Sequence, residues 1–74
     1  MSRLPSLAPR VVVAALKRPG FEERRQRGSH LFLWHPERES LVTVPMHARD
    51  LPRGTLKTII RQAGLTEDEF QAFL

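Results

Sequence analysis

The stretch "RRQRGSHLFLWH", Arg24 to His35, sets a histidine directly after Gly28-Ser29 and places three arginines, Arg24, Arg25 and Arg27, just before it. A neutral imidazole has a reference pKa of about 6.5, so it can take or give a proton near neutral pH. Guanidinium groups beside it can hold a phosphate. Those are the needs of RNA cleavage: the ribose 2′-OH loses a proton to attack its own phosphate, the leaving oxygen gains one, and cations stabilise the charged transition state. A histidine on a strand also serves as a plain surface or hydrogen-bonded structural residue, so this motif alone leaves His30 between reagent and bystander.

Other chemistries find less support. His30, His35 and His47 form no HxxxH or HExxH pattern and cysteine is absent, so a metal site is not expected. No local Ser-His-Asp arrangement appears, and "RGTLK" lacks the context of a phosphate-binding loop; no cofactor is expected. His47, in "VPMH", is a candidate second proton carrier or only a loop histidine at a strand exit. His35 precedes Pro36 at a turn and is assigned no role. Phe32 and Trp34 are read as core residues at alternating strand positions, with stacking on bases as the other use.

Charge points to a polyanion. The 74 residues carry 12 Lys and Arg against 8 acids, and Glu67, Asp68 and Glu69 crowd the tail. Without residues 66–74 the body carries about +7. Nucleic acid is the commonest partner for such an excess, and plain solubility is the competing account. Arg53, Lys57 and Arg61 repeat every four residues along one flank of a helix, where they either grip phosphates or are simply solvated. Arg24, Arg25 and Arg27 are expected to point to both faces of their strand. The length sets one domain, residues 1–74, with a stability on the order of 5 kcal/mol. No run of about 20 apolar residues suggests a membrane span, "LAPRVVVAAL" reads as a helix start rather than a signal peptide, and a reducing, cytoplasmic setting is the default.

The elements that must position these groups follow from spacing. Pro9 suits a helix start, Val12, Ala15 and Leu16 share one face, and Pro19-Gly20 ends the helix. "FEERRQR", "HLFLWH" and "SLVTVP" read as three strands in two hairpins, joined by Gly28-Ser29 and by "PERE". The second strand, apolar on both faces, is expected at the centre and the charged first strand at an edge. After the loop "MHARDLP", the residues Leu56, Ile59, Ile60 and Ala63 mark a helix closed by Gly64. Thr66 and Glu69 form a capping box for a short last helix, with Leu65 and Phe70 as its staple and Phe73 and Leu74 on its apolar face. The order α-β-β-β-α, with a three-stranded antiparallel sheet and a short C-terminal helix, is an α+β fold like that of double-stranded-RNA-binding domains.

Five landmarks then stand in order: Gly20-Phe21, Gly28-Ser29-His30, "VPMH", "GTLKTIIRQAG" and the "EF" of Glu69-Phe70. Together they resemble the HicA (YcfA-like) toxin family, small mRNA interferases of bacterial toxin–antitoxin pairs, over residues 20–70. The resemblance implies a fold like the double-stranded-RNA-binding domain, metal-independent cleavage of mRNA, His30 as the catalytic residue and a HicB-type antitoxin as inhibiting partner. Gly28 and Ser29 would shape the motif: Gly28 for close backbone approach or a positive φ, Ser29 for a hydroxyl near the imidazole or a phosphate, or only for the turn. Two departures stand out. Glu22, Glu23, Arg24 and Arg25 are all charged where the family carries one or two apolar residues, and Pro19 takes a helix-end position that is more often not proline. The alternative function, resting on charge and fold order alone, is a non-catalytic RNA-binding module on the same scaffold.

Overall fold

Residues 4–47 and 49–74 are described in a computed structural model of the chain; the loop expected from "MHARDLP" includes Ala48, which lies outside the described residues. The first helix, α1 (Pro9–Lys17), starts with its proline at the first helical position and buries Val12, Val13, Ala15 and Leu16. Valines are poor helix formers, so the apolar face rather than propensity holds it. It ends where the Gly20 N–H reaches the Lys17 carbonyl and the Phe21 N–H reaches the Leu16 carbonyl, a paired closure of the helix end.

Three strands follow, β1 (Glu22–Arg27), β2 (His30–His35) and β3 (Ser40–Pro45), in the spatial order β1-β2-β3 and antiparallel throughout. The doubly apolar strand is central and the charged one is an edge. Every residue of β1 is exposed, so it contributes nothing to the core and is held by its ladder to β2, with an ion pair between Lys17 and Glu23. This is how the chain accommodates "EERR" where an apolar residue would otherwise sit.

The helices α2 (Arg53–Gln62) and α3 (Glu67–Gln71) complete the second layer. Leu56, Ile59, Ile60 and Ala63 are buried with Leu31, Leu33, Val42 and Val44 in one cluster that also takes Leu4, Phe21 and Phe70. Burying each large apolar side chain contributes roughly 1.5–3 kcal/mol before entropy is counted. Thr66 accepts from the Glu69 N–H at 3.0 Å while the Glu69 carboxylate accepts from the Thr66 N–H at 2.8 Å, which realises the capping box. Phe70 is fully buried. The helix stops at Gln71, however, so Phe73 only packs partly against the core and Leu74 is exposed rather than lining an apolar face. Among the described residues no helix is long and apolar enough to cross a membrane.

The sheet has two faces of unequal use. Leu31, Leu33 and His35 on β2 face the helices, and His30, Phe32 and Trp34 face away from them. The expectation that Phe32 and Trp34 belong to the core is therefore corrected. Both faces of β2 are apolar enough to be buried, and the partner strand decides: Val42 and Val44 of β3 pair with Leu33 and Leu31, so the face carrying those four aliphatic residues takes the helices.

Candidate functional site

The β1-β2 connection is two residues long, between the paired Arg27 and His30. Gly28 takes φ 57° while Ser29 stays at negative φ, the pattern of a hairpin turn with glycine at its first central position. A Cβ on Gly28 would meet nothing within 4 Å. Of the two reasons for a glycine, backbone conformation is the one that applies. The turn fixes the register, and the register sets His30 on the outer face at the first position of the central strand. Its imidazole is exposed.

His47 is brought to the same place by a backbone bond. The ladder between β2 and β3 ends with His30 opposite Pro45, and the next N–H, that of Met46, donates to the Ser29 carbonyl at 2.6 Å. Ser29 thus acts through its main chain, tying the loop after β3 to the turn before β2. The His30 and His47 rings end 6.4 Å apart between centroids, inclined at 68°, and both residues are exposed. Rings at this spacing are too far apart to bond each other. They are near enough for one phosphodiester to touch both.

The three arginines share a face, contrary to the expectation from simple alternation. The register between β1 and β2 shifts between Glu23 and Arg25, so Arg24 is an extra residue and strand parity changes there. Past the shift, Arg25 lies opposite Phe32 and Arg27 opposite His30. Directly opposed residues of an antiparallel pair point to the same side, so both stand on the outer face. Arg24 reaches that face too: its guanidinium carbon lies 5.4 Å from the centre of the Trp34 ring, and that of Arg25 lies 5.8 Å from the centre of Phe32.

His35 has a role that a turn position did not suggest. It is 4% exposed, with Nε2 2.9 Å from the Pro19 carbonyl and Nδ1 accepting from the Arg38 N–H at 3.2 Å. Only the neutral Nε2–H tautomer satisfies both bonds. The ring also meets Phe21 edge-on at 5.1 Å. Gly20, at φ 120°, leaves the space: a Cβ there would fall 2.9 Å from His35 Nε2. The landmark Gly20-Phe21 is thereby tied to His35, and the three form the joint between α1, β1 and the end of β2.

The basic residues of α2 are placed elsewhere. Arg53, Lys57 and Arg61 are exposed on one flank of the helix, in the layer across the sheet from His30, and Lys57 lies 4.0 Å from Glu67 of α3. They do not join the histidine pair. Two other arginines, which had no signal beyond charge, lie together in a depression of about 430 Å³: Arg10 and Arg49 line it with Ala8, Pro9 and Met46, the residue before His47. Among the described residues no group of three or more His, Cys, Asp or Glu is gathered as metal ligands.

No curated protein matches the chain. A family model does: that of the HicA toxin of bacterial toxin–antitoxin pairs matches residues 9–65, which takes in α1, the whole sheet, both exposed histidines and α2. With most of its length inside that match, the chain belongs to the HicA family, the toxin component of bacterial toxin–antitoxin systems.

Proposed function

We propose that the protein is a metal-independent endoribonuclease that cleaves mRNA in the cytoplasm and is neutralised by a HicB-type antitoxin. The observation that carries this is the exposed pair His30 and His47, 6.4 Å apart on the face that also holds the arginines of β1. In the reaction one imidazole takes the proton from a ribose 2′-OH as its oxygen bonds to phosphorus. The phosphorus to O5′ bond breaks, and the other imidazole gives its proton to the departing oxygen. The products are a 2′,3′-cyclic phosphate and a 5′-OH. Arg27, opposite His30, is the cation best placed to meet the charge that grows on the phosphate. Catalysis by His30, and a proton-carrying role for His47, are parts of this proposal.

The defining experiment is incubation of the purified protein with mRNA in the presence of a chelator. Cleavage is expected to persist; a requirement for added divalent metal would refute the scheme. His47→Gln should lower the maximal rate by about 10²-fold or more. A His47→Gln enzyme that keeps the parent's rate would exclude His47 from proton transfer.

Placement of the cations on opposite layers gives a second test. Arg27→Ala should lower kcat/KM by about tenfold or more, whereas Lys57→Ala, on the far layer, should change it less than twofold. Equal losses from the two substitutions would mean that RNA is not held on the outer face.

A further inference from the structure

The outer face holds a feature that proton transfer does not use. Phe32 and Trp34 lie half-buried there with Arg24 and Arg25 over their rings, and Leu41, opposite Trp34 on β3, is 49% exposed. Together these five residues line an open cleft of about 420 Å³, a volume in the range of small-ligand sites. They follow His30 along the same side of the sheet: at about 3.3 Å per residue, Phe32 stands roughly 7 Å and Trp34 roughly 13 Å from it. Glu22, opposite Trp34, marks the acidic end of the row.

Large apolar rings left outside a core call for a partner. The guanidiniums narrow what it can be. A purely apolar protein surface would bury two cations without the anions they need. A nucleic acid strand supplies both at once, phosphates for the arginines and planar bases for the rings, and the body's excess of about +7 favours it electrostatically. The strand must be unpaired. Bases in a duplex are stacked on one another and an A-form helix offers a protein its phosphates and 2′-hydroxyls, whereas splayed single-stranded bases stack on aromatic and arginine side chains.

From this we infer that Arg24 with Trp34 and Arg25 with Phe32 form a nucleobase-stacking subsite for the unpaired nucleotides beside the scissile phosphate, which makes the protein select single-stranded over double-stranded RNA. The inference rests on the ribonuclease reading above and deepens it by naming the substrate's form. It also gives the charged β1 strand a purpose: its arginines are the lids of the two ring sites.

Trp34 is the chain's only tryptophan, so its emission reports on the subsite directly. The probe is a 2′-O-methyl RNA strand of mixed sequence, which cannot be cleaved because its 2′-oxygen carries no proton, offered alone or annealed to its complement. The single strand should quench Trp34 and bind at least tenfold more tightly than the duplex. Phe32→Ala, followed by Trp34 emission, and Trp34→Ala, followed by anisotropy of a labelled strand, should each weaken single-strand affinity about tenfold. Circular dichroism of both variants should match the parent, since neither ring supports the core. Equal binding of strand and duplex, or variants within twofold of the parent, would overturn the inference, as would emission that responds to a HicB-type antitoxin and not to RNA. The two readings fail differently: quenching without cleavage of the matching unmodified RNA removes the ribonuclease and keeps the subsite. Cleavage that Phe32→Ala and Trp34→Ala leave unchanged removes the subsite and keeps the ribonuclease.

Discussion

Replacing His30 with alanine is expected to lower RNA cleavage by about 10²- to 10⁴-fold and to abolish the growth arrest caused by induced expression of the parent. Stability should stay within about 0.5 kcal/mol. His30 is exposed at the start of β2, its position is set by the Gly28-Ser29 turn and by the ladder, and those backbone features survive loss of the ring. The substitution therefore removes a proton carrier without loosening what positions it. Rates measured on purified protein, beside thermal melts of the two forms, check both halves of the expectation. A His30→Ala protein that cleaves RNA and stops growth as well as the parent would show the catalytic assignment to be wrong.

His35→Ala should behave in the opposite way. It leaves the Pro19 carbonyl and the Arg38 N–H without their bonds and opens a cavity against Phe21. Each of these part-buried bonds contributes about 0.5–1.5 kcal/mol, and the cavity left by the buried ring adds about 2 kcal/mol or more. A total of about 3–4 kcal/mol is most of the stability of a domain this size, where the net is on the order of 5 kcal/mol. At about 4–8 °C for each kcal/mol, the melting temperature should fall by at least about 12 °C. Gly20→Ala should act at the same joint, because its Cβ would fall 2.9 Å from His35 Nε2 on a backbone at φ 120°. Well below the melting temperature, the folded fraction of His35→Ala should cleave RNA at the parent's rate. A melting temperature within about 3 °C of the parent would mean that His35 does not hold the joint.

The contrast between these two histidines marks what was legible in the sequence. The helix α2 announced itself through Leu56, Ile59, Ile60 and Ala63, and α3 through Thr66 and Glu69, because helical spacing and capping are local properties. The hairpin at Gly28-Ser29 was local as well, and with it the place of His30. Strand faces were not. His30-Phe32-Trp34 and Leu31-Leu33-His35 are alternating sets of similar character, and which one is buried depends on valines of a different strand. The burial of His35 depends on a carbonyl 16 residues away, at Pro19, and no residue type encodes that. The convergence of Arg24, Arg25 and Arg27 was hidden for a similar reason. One extra residue in β1 reverses alternation, and a run of charged residues gives no sign of where the shift falls. His47 was named from its motif, but its distance from His30 follows from the Met46 to Ser29 bond, which is a product of the ladder.

The most direct test of the central claim is the chemistry of the cut ends. Purified protein is incubated, with chelator, with an RNA oligonucleotide and with a copy carrying a single 2′-deoxy nucleotide at the cleaved position, and the fragments are read by mass spectrometry. Proton transfer by His30 and His47 predicts a 2′,3′-cyclic phosphate and a 5′-OH from the first, and no cut at the substituted position in the second. Fragments ending in 3′-OH and 5′-phosphate, or cleavage beside the 2′-deoxy nucleotide, would contradict it.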